Sequence, residues 1–214
     1  MTNQDYTKIV AILDRSGSML TVKTDTEGAF DAYVEKQRNG EGKCDLTLVQ
    51  FNTRTETIYT DAPIMKVPPL MLEPSGMTAL HDAIGETVTK LGQRLRDMEE
   101  DERPAHVIIV ILSDGLENSS REWKNKLKPL IRQQTDNYGW TFLYLGANQD
   151  AILVGEEMGI APNSSLTYSQ DFMTATMDVA AAATTRSREG TYTGFTEEER
   201  KRATTGTTTS GDPK

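Results

Sequence analysis

Three stretches of the chain are apolar at nearly every position: 9–13, 107–112 and 140–145. Each is rich in β-branched or aromatic residues. Strands covered on both faces have this pattern, which marks a parallel sheet. Between them the period changes to that of a helix. Leu80, Ile84, Val88, Leu91, Leu95 and Met98 recur in steps of three and four and line up one apolar stripe. A first helix is expected over 25–37, with Phe30, Tyr33 and Val34 turned towards the sheet. Segments 46–51 and 55–60 flank Asn52-Thr53-Arg54 and read as a hairpin. Its second strand is polar and alternating, as an edge strand should be. A helix is expected over 121–134, kinked or broken at Pro129, which lacks an N–H and crowds the preceding turn. A short helix over 150–158 should stop near Gly159. A brief strand follows at 166–168, and an Ala-rich helix runs over 171–188.

Alternating strands and helices predict an α/β fold. The expected architecture is a three-layer open sheet, mostly parallel, with helices on both faces. The hairpin adds one short antiparallel edge strand. The domain is expected to span 1–188. Beyond it Gly and Thr dominate and apolar anchors are few, so 189–214 reads as a flexible C-terminal tail. Within that tail, 197–202 can form one capped turn after Thr196. The acidic cluster at 97–102 reads as a solvated helix end, and no internal repeats appear.

The chain has 214 residues, which suits one domain with a core large enough to need no staples. Its net charge of −9 argues against a broad nucleic-acid footprint, which needs an excess of Lys and Arg. The same charge disfavours anionic lipid surfaces and favours cations. The one cysteine, Cys44, cannot form an internal disulfide and reads as a small core residue. Residues 1–8 lack the apolar stretch of a secretory signal. No apolar run approaches the roughly 20 residues that span a bilayer. A cytoplasmic location is the expectation, without excluding release by lysis or by a dedicated secretion machine.

The candidate chemistry lies where buried strands end. The first strand runs out into Asp14-Arg15-Ser16-Gly17-Ser18. In an open α/β sheet, ligands bind outside the carboxyl ends of the strands. A turn through Gly17 lets Ser16 and Ser18 point the same way as Asp14. The strand at 107–112 leads into Ser113-Asp114-Gly115, which places Asp114 at the same edge. Ser75-Gly76-Met77-Thr78 presents Thr78 just before the best-patterned helix. Two carboxylates and three hydroxyls, with no Cys or clustered His, suit a hard cation and disfavour zinc or copper. Mg²⁺ fits this set best, and Mn²⁺ is a possible substitute. Few direct negative charges would leave the ion electrophilic and open to an Asp or Glu from a partner protein.

Read in this order, Asp14, Ser16, Ser18, Thr78 and Asp114 resemble the metal-ion-dependent adhesion site (MIDAS) of von Willebrand factor A (VWA) domains. The resemblance covers the chain from about Lys8 to near Arg188. It implies that Ser16, Ser18 and Thr78 are direct metal ligands, with Asp14 and Asp114 acting directly or through water. It also implies binding rather than turnover. The nearest style is the compact intracellular kind of bacteria and their viruses, similar to tellurite-resistance-type domains, which Leu145-Gly146-Ala147-Asn148-Gln149-Asp150 also resembles.

Two other functions stay open at this point. One is a Mg²⁺-dependent hydrolase, although Ser16 stands where haloacid-dehalogenase-type enzymes carry a second Asp. No Walker-type loop and no Ser-His-Asp pattern appears either. The other is assembly by self-association, with Glu197 or Asp212 of the tail reaching a second copy's ion. Of the neighbouring residues, Arg15 reads as solvent-facing and Met19 and Met77 as packing residues, although soft apolar rims also suit protein interfaces. His81 is expected to pack or hydrogen-bond locally, and His106 to be structural. Asn148 is expected to cap the helix after it.

Overall fold

The computed structural model describes residues 2–147 and 149–207. Six strands form one sheet in the order β3-β2-β1-β4-β5-β6. They are β1 (Asn3–Asp14), β2 (Lys43–Phe51), β3 (Thr55–Pro63), β4 (Pro104–Ser113), β5 (Thr141–Ala147) and β6 (Ser165–Tyr168). Every neighbouring pair is parallel except β2 and β3, joined by the expected hairpin. The helices are α1 (Lys23–Arg38), α2 (Leu80–Asp97), α3 (Leu127–Tyr138), α4 (Ala151–Met158), α5 (Met173–Arg188) and α6 (Glu197–Thr205).

The period-2 geometry of a strand sends alternate residues to opposite faces. Ile9, Ala11 and Leu13 of β1 join Phe30 and Tyr33 of α1 and Met177 and Ala180 of α5 in one core. Val10 and Ile12 join Leu80, Ile84, Val88 and Leu91 of α2 and Leu127 and Ile131 of α3 in the other. This is why the central strands are apolar at every position. Each fully buried aliphatic chain contributes about 1.5–3 kcal/mol, so the two cores fix the sheet and with it the loop edge where β1, β4 and β5 end.

Two segments differ from the sequence expectation. The helix predicted over 121–134 begins only at Leu127 and extends to Tyr138. Pro129 therefore sits in its first turn, where no N–H is needed and no kink arises. The preceding residues are held off a helical path because carboxylates take their backbone donors. Asp82 accepts from the N–H groups of Arg121, Glu122 and Trp123 at 2.8–3.0 Å. Trp123 then lies against Gly85, where any Cβ would meet its ring at 2.0 Å.

The second difference concerns the segment expected to be a tail from 189. Phe195 and Ala203 are buried in the first core, and Tyr192 packs against it. Helix α6 carries a full capping box, in which Thr196 and Glu199 satisfy each other's backbone N–H. Arg186 of α5 pairs with Glu199 at 2.8 Å. Two aromatic side chains and this cap outweigh the Gly/Thr bias that made the segment look unanchored. The folded part thus continues beyond 188 through α6. Residues 208–214, including Asp212, lie outside the described residues, as does Asn148.

Candidate metal centre

Strands β1 and β4 are adjacent and in register at Leu13 and Leu112. Their next residues therefore leave the sheet side by side. Asp14 has no exposed surface. Its Oδ1 accepts the Ser16 N–H at 2.7 Å, which closes the tight turn into the 16–18 segment. Its Oδ2 accepts the Ser113 hydroxyl at 2.7 Å. The Ser16 and Ser18 hydroxyl oxygens are 3.0 Å apart. The Ser18 hydroxyl donates to Asp114 Oδ1 at 2.8 Å. The other Asp114 oxygen accepts from Gln170 Nε2 at 2.9 Å.

Thr78 is buried just ahead of α2. Its N–H donates to Asn118 Oδ1 at 2.9 Å, and its carbonyl accepts from the N–H groups of Asn118 and Ser119. Those bonds fix the backbone, and the hydroxyl faces Gly115. A Cβ at Gly115 would lie 3.2 Å from Thr78 Oγ1 and 3.7 Å from Ser18 Oγ. Glycine there leaves clear a space bordered by hydroxyls from two loops. The loops are tied to one another: the Gly17 N–H donates to the Gly76 carbonyl at 3.1 Å, and the Ser75 N–H to the Arg15 carbonyl at 2.9 Å. Gly76 is in the left-handed region at φ 75°, which permits this turn beside Thr53.

Burial pushes the Asp14 carboxyl up to about 6, against the pull of the Ser113 and Ser16 hydrogen bonds and with a further push from Asp114. Asp114 is also raised, chiefly by burial, while Ser18 and Gln170 oppose the shift. Two neighbouring carboxylates that have each lost solvent favour either a proton or a cation. No group of three His, Cys, Asp or Glu side chains placed to hold a metal exists among the described residues. The mixed hydroxyl and carboxylate set fits a hard divalent ion. Asp14, Ser16, Ser18, Thr78 and Asp114 are the residues that would hold it.

The structure thus brings together all five residues singled out in the sequence. It adds Ser113 and Gln170, which contact the two carboxylates directly, and Asn118, which fixes Thr78. A further support is Glu117. It accepts from the N–H groups of His81, Ser119 and Ser120 and from the Ser120 hydroxyl at 2.6–3.0 Å. That carboxylate caps the start of α2 and folds the loop after Asp114 onto it. Only Ser113 had a visible signal, its adjacency to Asp114; the others depend on loop paths that no periodicity encodes.

Neighbouring residues partly depart from expectation. Arg15 pairs with Glu56 of β3 at 2.5 Å and is largely covered. Met19 is buried as a packing residue, but Met77 is half exposed. His81 is partly buried, which lowers its pKa, and its Nδ1 has no partner among the described residues. The cap of α4 is Asp150, which accepts the Leu153 N–H at 3.1 Å. No helix among the described residues is long and apolar enough to cross a membrane.

A scan against protein-family models finds no match, and a search of curated proteins finds none. Solved structures do match. One is VWA2, an ArnB paralog from Sulfolobus acidocaldarius, with a TM-score of 0.53 and 16% identity over 79% of this chain and 43% of that one. Another is proximal thread matrix protein 1 from the mussel byssus with a zinc-occupied MIDAS motif. Its TM-score is 0.57 with 16% identity, over 81% of this chain and 46% of that one. A third is a von Willebrand factor type A structure from Catenulispora acidiphila, at 0.54 and 16%, over 83% and 42%. The chain spans less than half the length of each of these structures.

Proposed function

We propose, from the premise that this fold is that of VWA domains, that the protein is a Mg²⁺-dependent binding module. Its ion captures an Asp or Glu side chain of a partner protein. The observation that carries this reading is the spacing of the site oxygens. Ser16 Oγ to Ser18 Oγ is 3.0 Å, and Ser18 Oγ to Asp114 Oδ1 is 2.8 Å. Adjacent ligands of an octahedral ion bound at 2.0–2.1 Å stand about 2.9 Å apart, so these oxygens can serve one small divalent ion once the hydroxyl protons turn away from one another. The spacing supports one hard divalent ion, and the preference for Mg²⁺ or Mn²⁺ rests on the all-oxygen set with few charged ligands.

Hydroxyl ligands are neutral, so a site with only two carboxylates leaves the ion attractive to an outside anion. Binding rather than turnover is part of the same proposal and rests on the resemblance of the five-residue set to the metal-ion-dependent adhesion site. The zinc in the mussel protein supports divalent occupancy in this fold. The resemblance of 145–150 to compact bacterial and viral VWA domains, and a cytoplasmic setting, belong to the same proposal.

The test uses nuclear magnetic resonance titration of the full chain with acetylated, amidated Gly-Asp-Gly and Gly-Asn-Gly. The Asp peptide should shift amides of 14–18, 76–78 and 114–116 in Mg²⁺ and leave them unmoved in EDTA. Equal shifts from the Asn peptide, or shifts that persist in EDTA, would refute carboxylate capture by an ion.

A further inference from the structure

Five of the nine large hydrophobic side chains exposed among the described residues lie at the metal-site edge of the sheet. Leu20 follows Ser18 by two positions and is 67% exposed. Met77 immediately precedes Thr78 and is 52% exposed, and Leu116 follows Asp114 by two and is 66% exposed. Ile152 and Leu153 stand in the first turn of α4, where the chain leaves β5, and Leu153 is 55% exposed. A lone exposed leucine needs no explanation. Here three separate loops each contribute a proposed metal ligand and, within two residues, a large exposed apolar side chain.

These side chains stand on fixed backbone. The Met77 N–H donates to Thr53 Oγ1 at 3.0 Å. Leu116 leads into the loop that Glu117 and Asn118 pin to α2. Leu20 lies in the short turn at Gly17–Val22, next to the buried Met19. A rim held this way loses little conformational freedom when a partner covers it. Gly17, Ser75, Gly76 and Gly115 on the same loops are small and uncharged, and the charged neighbours Arg15 and Glu117 are engaged by Glu56 and by the start of α2. Apolar side chains around a buried polar contact are the composition of an interface centre.

We propose that this edge docks a protein segment in which one Asp or Glu is flanked by large aliphatic side chains. The flanking chains rest on Leu20, Met77 and Leu116 while the carboxylate meets the ion. Charge complementarity fixes the central residue. The carboxylates of Asp14, which is buried, and Asp114, which is half-buried, in a chain with net charge −9 repel an acid until a divalent ion neutralises them. The apolar rim fixes the flanks. This inference rests on the carboxylate-capture reading above and adds the class of sequence captured.

The test compares acetylated, amidated Leu-Asp-Leu, Gly-Asp-Gly and Leu-Asn-Leu by the same titration in saturating Mg²⁺. Wild type is expected to bind Leu-Asp-Leu on the order of tenfold more tightly than Gly-Asp-Gly, the gain from half-burying leucine side chains. A double variant, Leu20→Ser with Leu116→Ser, should lose most of that advantage while keeping Gly-Asp-Gly affinity and Mg²⁺ affinity. Equal affinity of wild type for the two Asp peptides, with Gly-Asp-Gly still Mg²⁺-dependent, would overturn the apolar rim and leave the capture reading standing. Binding of Leu-Asn-Leu as tight as that of Leu-Asp-Leu, or no binding of either Asp peptide, would overturn both.

Discussion

Replacing Asp14 with Asn should stabilise the metal-free protein and at the same time end its response to Mg²⁺. Asp14 is fully buried, and burial pushes its carboxyl from 3.8 up to about 6. An acid whose pKa is raised by folding binds its proton more tightly in the folded state. The metal-free fold therefore loses stability as pH rises from about 4 to about 6, and above that the deficit is complete. Two pKa units correspond to about 3 kcal/mol. Asn has the same shape, can accept from the Ser16 N–H and can donate to Ser113 Oγ, so it keeps both contacts. The shift to about 6 already includes the strength that charge gives those bonds; the need for the Ser113 hydroxyl to turn wholly to the Gly115 carbonyl trims the gain to about 1–2 kcal/mol. For a chain of this size that raises the melting temperature by about 2–8 °C. The assay is thermal melting at pH 7.5 in EDTA and in millimolar MgCl₂. Wild type should gain with Mg²⁺ by mass action, and Asp14→Asn should melt higher than wild type in EDTA and stay unmoved by the ion. A variant that melts lower in EDTA would show that the carboxylate is not strained. A variant that still gains with Mg²⁺ would show that Asp14 is not part of the site.

Further consequences concern the residues around the ion. Gln170→Ala removes the Nε2 donor from Asp114 Oδ2 and should weaken Mg²⁺ binding by about tenfold or more, read by calorimetry, as losses of outer contacts to metal ligands do. Glu117→Ala strips the acceptor from three backbone N–H groups, which should cost about 2–3 kcal/mol in denaturant unfolding and speed hydrogen exchange at His81, Ser119 and Ser120. Mg²⁺ affinity should fall as pH drops through about 6, because the proton competes for Asp14, and calorimetry at pH 5 and pH 7.5 reads the difference.

The five proposed ligands were legible because strand ends are legible. The apolar runs at 9–13 and 107–112 are long enough to count, and a parallel sheet places their exits together. Thr78 was legible because the stripe of α2 is strong and begins right after it. What stayed hidden depends on side chains that override local propensity. Asp82 and Glu117 satisfy the backbone of the loop before α3, so its residues do not need a helix, although their sequence suits one. Gln170 reaches Asp114 across 56 positions of sequence, and no spacing rule encodes that contact. The order of 189–207 turned on Phe195, Ala203 and the Thr196–Glu199 cap, a few strong anchors inside a weak composition. Met19 and Met77 flank the same site, yet only Met19 is buried; the sequence offers both packing and an apolar rim for such residues, and the loop path decides between them.

The central claim is that one divalent ion sits among the oxygens of the 14–18, 78 and 114 loops. Anomalous diffraction from crystals grown with Mn²⁺ tests it most directly. The account predicts a single peak per chain, bounded by Ser16, Ser18 and Thr78, with Asp14 and Asp114 in direct or water-bridged contact and an octahedral shell completed by solvent. Crystals with no peak at this position, or with the ion held elsewhere on the chain, would contradict it.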